Sequence, residues 1–171
     1  MNIRKDINAT YGYTHAMHIR LRPVIISDLP ILFEQQADPE SSAMAAFPSR
    51  TKEEFDTHWA KIMADETVIL RVIEVDGQVA GHLVSWEMRE GREVGYWLGR
   101  EFWGKGIATE SLNQFLGVVK TRPLFAHVAK HNTASRRVLE KCGFTVIGED
   151  KYTNRIKQKV EEFVLRLNEN D

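Results

Sequence analysis

One cysteine, Cys142, stands in 171 residues, so the chain can form no internal disulfide and no zinc site built from several cysteines. A reducing compartment, the cytoplasm by default, suits such a chain. Prolines number 5 and glycines 11, which excludes collagen-like and Pro/Gly-rich low-complexity sequence. No apolar run approaches the ~20 residues of a membrane-spanning helix. Arg4 and Lys5 are followed by no apolar block of the kind a secretory signal needs. Residues 1–17 therefore read as a flexible or loosely docked extension, and residues 18–171 as the domain. Charge of one sign is lacking too: 23 Lys/Arg meet 24 Asp/Glu for a net −1, which supplies no overall basic field for nucleic acid.

What is present is an ordinary globular composition, 43% hydrophobic and 27% charged, at a length that suits one core. The charge is unevenly spread. Residues 1–98 hold 10 Lys/Arg against 15 Asp/Glu, and residues 99–171 hold 13 against 9. This split suggests an anionic ligand on the later half and a cationic one near the earlier half.

Alternating apolar residues make His18–Val24 a strand. Ser27-Asp28 then caps a helix that fades near Asp38-Pro39, because proline disfavours helical geometry in the residue before it. After a Ser/Ala-rich connection, Thr51-Lys52-Glu53-Glu54 is a capping box that opens a second helix through Phe55, Trp59, Ile62 and Met63. Thr67–Val75 and Gln78–Met88 flank Asp76-Gly77, a hairpin turn signal. Arg92–Leu98 forms the next strand, and Gly99–Gly106 is a loop leading into a helix from Ile107 to about Lys120, with its apolar residues on one face. Leu124–Ala129 is a strand and Asn132–Lys141 a helix ended by Gly143 as a left-handed cap. Phe144–Glu149 and Val160–Leu167 close the chain as an antiparallel pair. The order βααβββαβαββ predicts a mixed α/β sheet in one domain.

The junction from Tyr96 through Gly104-Lys105-Gly106 to Glu110 carries the clearest chemistry. A strand, a glycine loop and a helix N-terminus aim backbone N–H groups and the positive end of a dipole at one spot. Gly99–Gly106 spells Gly-x-x-x-x-Gly-Lys-Gly, one residue short of a P-loop. The missing hydroxyl is the one that would hold Mg²⁺, and Phe102 and Trp103 crowd the loop, which argues against nucleotide hydrolysis.

Glu101-Phe102-Trp103-Gly104-Lys105-Gly106 instead resembles the acyl-CoA loop of the GNAT acetyltransferase superfamily, (Gln/Arg)-x-x-Gly-x-(Gly/Ala), with Glu101 departing from its first position. The strand Gly95–Leu98 and the run Trp103–Glu110 resemble the branch that includes ribosomal-protein and polyamine acetyltransferases. A second block, Asn132–Phe144, is similar to the family's Asn-x-x-Ser motif that ends in Gly-Phe. The resemblance spans about His18 to Leu167. It implies the family fold, with a V-shaped split between the fourth and fifth strands, Arg92–Leu98 and Leu124–Ala129, where acetyl-CoA wedges as co-substrate. It also implies pyrophosphate on Trp103, Gly104, Lys105, Gly106, Ile107 and Ala108, with Thr109 beside them. The pantetheine arm is expected on the backbone near Trp97 and Leu98, with Asn132 reaching it or simply capping its helix.

Acetyl transfer to nitrogen needs an ammonium of pKa near ~10 to lose a proton, an oxyanion to be stabilised, and a thiolate of pKa around 8.5 to leave. Ser135, matching the family serine, and Tyr152 are the candidate acids. Glu93 and Glu87 are the candidate bases, Glu93 first, and the two are expected to approach one another from neighbouring strands. No histidine pairs with a second ligand at metal spacing, so no metal is expected. Cys142 reads as a packing residue and the Lys151, Arg155, Lys157, Lys159 cluster as a solvated hairpin. The expectation is a cytoplasmic N-acetyltransferase that moves an acetyl group from acetyl-CoA to a primary amine, a small cationic amine or a peptide α-amine, by direct transfer in a ternary complex. The alternative is a catalytically idle acyl-CoA-binding or interaction module. Neither nucleic acid nor membrane is an expected partner, and an exposed strand edge leaves a homodimer open.

Overall fold

The computed structural model describes residues 16–169; all but the last two residues of the expected extension over 1–17 lie outside that range. A first strand, β1 (Ile19–Arg22), leads into three helices, α1 (Leu29–Ala37), α2 (Pro39–Ala45) and α3 (Lys52–Ala64). The antiparallel strands β2 (Ile69–Val75), β3 (Gln78–Met88) and β4 (Gly91–Leu98) follow. The chain continues through α4 (Ile107–Val118), β5 (Leu124–Ala129), α5 (Thr133–Lys141), β6 (Thr145–Thr153) and β7 (Lys159–Leu167). The mixed α/β class is as expected from the sequence, and the order differs by one element, the helix α2 in the Ser/Ala-rich connection. Asp38 accounts for it: its carboxylate accepts the Ser41 N–H at 2.9 Å while Pro39 fills the first helical position, an arrangement that proline tolerates well.

The expected Ser27-Asp28 cap is not formed: the Asp28 carboxylate makes no cap bond to α1 and instead accepts from the Arg22 guanidinium at 2.8 Å and the Ile25 N–H at 2.9 Å. The second helix, the hairpin and the end of α5 fold as they read. Thr51 accepts the Glu54 N–H at 3.2 Å and Glu54 accepts the Thr51 N–H at 2.7 Å, completing the capping box. Asp76 and Gly77 both take positive φ in the β2–β3 turn, as the hairpin signal requires. Gly143, at φ +94°, ends α5, and the Phe144 N–H returns to the Leu139 carbonyl at 3.1 Å.

Among the described residues, seven strands form one sheet in the order β1-β2-β3-β4-β5-β7-β6, antiparallel except at β4–β5. The main core lies between one face of the sheet and helices α4 and α5, around Leu83, Val94, Leu112, Phe115, Leu139 and Leu165. A smaller core of Leu32, Phe55 and Trp59 holds α1 and α3 together against the sheet, with Leu70 and Val79 packed on it. Gly81 lets β3 and β4 close tightly at the end of β4, since a Cβ there would stand 2.0 Å from the Trp97 carbonyl oxygen. The parallel seam is short: β4 and β5 pair only at Arg92↔Leu124 and Glu93↔Phe125. Beyond Glu93 the two strands part.

Candidate active site at the strand split

Two cavities open where β4 and β5 separate. One, of about 490 Å³, is lined by the end of β4, the α4 entry loop and α5. The other, of about 520 Å³, is lined by Phe47, Trp86, Glu93, Gly95, His127, Tyr152 and Glu162. Ala45, Tyr96, Asn132 and Ser135 line both. The division runs along β4: Glu93, Val94 and Gly95 line only the second cavity, Trp97 and Leu98 only the first, and Tyr96 both. Alternation then sorts the side chains, Val94 and Tyr96 toward the main core and Glu93 to the opposite face with its partner Trp86.

The first cavity is edged by a glycine loop and a helix N-terminus, groups whose free N–H donors suit an anion. Gly104 and Gly106 adopt φ +70° and +76°, and a Cβ at either would meet nothing within 4 Å. Glycine is required there by backbone geometry, since L residues avoid that region. Gly106 caps the 12-residue α4, whose first-turn N–H groups have no partner within the helix. Trp97, Leu98, Trp103, Gly104, Gly106, Ile107, Ala108 and Thr109 all line this cavity. The Trp103 indole N–H donates to the Leu98 carbonyl at 3.0 Å, tying the loop to the strand end. Lys105 is placed differently from the expectation. Its ammonium folds back onto the Glu101 carbonyl at 2.8 Å and is absent from the lining. Arg137 and Lys141 on α5 line the cavity in its place.

Where the cavities meet, the Tyr96 hydroxyl and Ser135 Oγ lie 2.8 Å apart. Asn132 caps α5 by accepting the Ser135 N–H at 3.1 Å, which fixes the serine against the tyrosine. Burial pushes the Tyr96 phenol up to about 12, so the pair keeps its hydroxyl protons at neutral pH and can supply one. Tyr152, the other candidate acid, is on β6 and lines only the second cavity; burial raises its pKa.

The second cavity is acidic. Glu93 Oε1 and His127 Nδ1 are 2.7 Å apart, and His127 Nε2 faces Glu162 Oε1 at 3.9 Å. Atoms of His127, Asp150 and Glu162 lie within 4.8 Å of one another, a spacing that a single cation, organic or inorganic, can bridge. The hydrogen bond to Glu93 raises the His127 pKa against the opposing effect of burial. Burial raises that of Glu162. Phe47 and Trp86 supply the apolar wall. Arg155, in the β6–β7 turn, donates to the Pro48 carbonyl at 3.0 Å and pairs with Glu54 at 2.7 Å, so this residue is anchored to the α2–α3 connection and is not merely solvated.

Glu87 and Glu93 do not come together. Glu93 is registered with Trp86, and Glu87 with Arg92, so the two carboxylates point to opposite faces. Glu87 is 64% exposed and reaches Arg92 at 3.5 Å. The division of charge by halves also fails to map onto the cavities, because Glu162, which lines the second cavity, and Asp150 beside it come from the basic half. Tyr96, His127, Glu162, Arg137 and Lys141 escape the sequence reading. All but Tyr96 follow the split, yet their positions depend on pairings between distant strands and helices. Cys142 is buried, with its thiol pushed up to about 11 by desolvation. Among the described residues, no helix is long and apolar enough to cross a membrane.

No curated protein matches the sequence significantly. Solved structures with the same architecture include the acetyltransferase (GNAT family) from Bacillus anthracis, with TM-score 0.76 and 20% identity over 90% of this chain and 96% of that one. Spermidine N-acetyltransferase from Vibrio cholerae, solved with CoA and spermine, matches at TM-score 0.77 and 18% identity over 89% of this chain and 96% of its own. Ribosomal-protein-alanine N-acetyltransferase from Brucella melitensis matches at TM-score 0.71 and 18% identity over 87% and 99%. The family model described as the acetyltransferase (GNAT) domain matches residues 18–145. The chain belongs to the GNAT acetyltransferase family.

Proposed function

We propose that the protein is an acetyl-CoA-dependent N-acetyltransferase that acts on a primary amine, a small cationic amine or a peptide α-amine, by direct transfer in a ternary complex. The observation that carries this reading is the meeting, at the Tyr96–Ser135 pair, of a cavity edged by a helix N-terminus with Arg137 and Lys141 and of an acidic cavity. Acetyl-CoA would lie in the first cavity, its pyrophosphate on the Gly104–Ala108 backbone with Arg137 and Lys141 near, and its pantetheine along the open edge of β4. The amine would enter from the second cavity, drawn by Glu93, Asp150 and Glu162. There the Glu93–His127 pair removes the first ammonium proton. The neutral nitrogen attacks the thioester carbonyl carbon, the C–S bond breaks, and the sulfur receives a proton from the Ser135–Tyr96 hydroxyls, which regain one from the acylated nitrogen. The V. cholerae neighbour solved with spermine and the neighbour named for ribosomal-protein alanine support an amine acceptor without choosing between these kinds.

The test is thiol release from acetyl-CoA with spermidine, an aminoglycoside and a peptide beginning with alanine. Acetylation of at least one, confirmed by mass, is expected. Tight acetyl-CoA binding with no turnover on any of them would favour the idle acyl-CoA-binding module.

A further inference from the structure

We propose that His127 is the group that takes the proton from the acceptor amine, at its Nε2 atom, and that Glu93 is a positioning residue acting through Nδ1. This rests on the N-acetyltransferase reading above. The reacting wall of the second cavity is then a histidine held by a carboxylate, and the strand carboxylate does not itself meet the amine.

Geometry carries the assignment. Glu93↔Phe125 is the last paired position of the parallel seam, so His127, two residues further along β5, returns to the same face as Glu93 just where the strands part. The 2.7 Å contact between Glu93 Oε1 and His127 Nδ1 places the ring proton on Nδ1 in the neutral imidazole and leaves the lone pair on Nε2. Nε2 is the nitrogen turned toward Glu162, 3.9 Å away, with Asp150 alongside. An alkylammonium seated among these three can give one N–H to Nε2 and others to the two carboxylates. The Glu93 side chain is 13% exposed and that of His127 26%, so Glu93 is the more enclosed partner and already has an oxygen engaged.

The chemistry agrees with the geometry. An ordinary carboxylate of pKa ~4 is a weak acceptor for a proton from an ammonium near ~10, whereas an imidazole closer to neutrality is better matched. The titratable groups facing His127 are Glu93 from β4, Asp150 and Tyr152 from β6, and Glu162 from β7; β3, α5 and the α2–α3 connection contribute Trp86, Ser135 and Phe47. The proton taken by Nε2 makes an imidazolium held by Glu93, which returns it to solvent through the open cavity after the acetyl amide has formed.

Two measurements test the proposal. The first is the pH dependence of kcat/KM with spermidine and with the alanine-led peptide. A base must be unprotonated, so activity falls as pH drops through its pKa. In His127→Gln the limb set by the His127 pKa should give way to one at the amine's own pKa near ~10, because only free amine can then react, with a loss of roughly a hundredfold or more near neutrality and unchanged acetyl-CoA affinity. In Glu93→Gln the limb should survive but move to lower pH, because the carboxylate that raises the His127 pKa is gone. A limb unmoved by His127→Gln, or shifted up to the amine's own pKa by Glu93→Gln, overturns the proposal and returns the role to Glu93. The second measurement needs no acceptor. Nitrogen NMR of the acetyl-CoA complex should show His127 as the Nδ1–H tautomer, titrating lower in Glu93→Gln. The opposite tautomer, or a titration indifferent to Glu93, overturns it. If neither amine is acetylated while His127 behaves as expected, the enzyme reading fails and the proton-transfer role with it, although the Glu93–His127 positioning survives.

Discussion

Gly106 separates two demands that a loop glycine can meet, backbone conformation and room for a ligand. At φ +76° with open space where a Cβ would stand, asparagine is the substitute best able to keep the turn. Gly106→Asp adds negative charge to much the same side chain. Calorimetry should find acetyl-CoA bound at least about tenfold more weakly by Gly106→Asp than by Gly106→Asn, a difference of ~1.4 kcal/mol; equal affinities would move the phosphates elsewhere. Ser135→Ala and Tyr96→Phe should each lower kcat more than they weaken acetyl-CoA binding, and the double variant should lose less than the product of the two, since each removes the same 2.8 Å contact. Additive losses in a double-mutant cycle would mean the hydroxyls act separately. The glycines are legible in the sequence because their meaning is local, and Ser135 because the Asn132–Phe144 block resembles the family motif. Tyr96 is not, because its partner lies on a helix beyond another strand.

Turns and caps govern what each element contributes. The β3–β4 turn closes at Met88↔Gly91, and that closure sets the parity of every pair beyond it. A one-residue offset therefore separates Glu87 from Glu93, although both strands and their alternation can be read from the sequence. Helix α2 has only 7 residues, too few to show a period. Its signal is the Asp38-Pro39 pair, a cap followed by a first-turn proline, which reads equally well as the end of the helix before it. Helix α5 depends on its cap in the same way. Asn132→Ala should cost about 1 kcal/mol, or ~2–4 °C in melting temperature, and should weaken Ser135 function by loosening its N–H anchor. Asn132→Asp should restore the melting temperature. A melting temperature indifferent to both would deny that the cap stabilises the helix.

At the scale of the molecule, protons link the site to stability in opposite senses. His82, edge-on to Trp59 with ring centroids 4.9 Å apart, has its pKa pushed down to about 4 by burial. An unfolded chain protonates this residue below about 6.5, whereas the folded one refuses the proton until about 4. Between those values acidification should destabilise the fold by up to ~1.4 kcal/mol per pH unit. His127 works the other way: its pKa is raised, so its contribution is full in acid and lost as pH rises through the folded value. Melting His82→Gln beside the parent at pH 7.5, 6 and 5 isolates the first effect; the variant should lose less on acidification, and parallel curves would refute the assignment.

The short β4–β5 seam leaves the sheet fastened at one end of that junction. Past Glu93, the amide groups that β4 turns toward β5 have no strand to bond, while its other edge remains paired to β3 as far as Leu98↔Gly81. A bound pantetheine would take the place of the missing rungs. Deuterium uptake over Gly95–Leu98 should therefore slow when CoA is added and stay fast with ADP, which shares the nucleotide diphosphate but has no arm to lay along the strand.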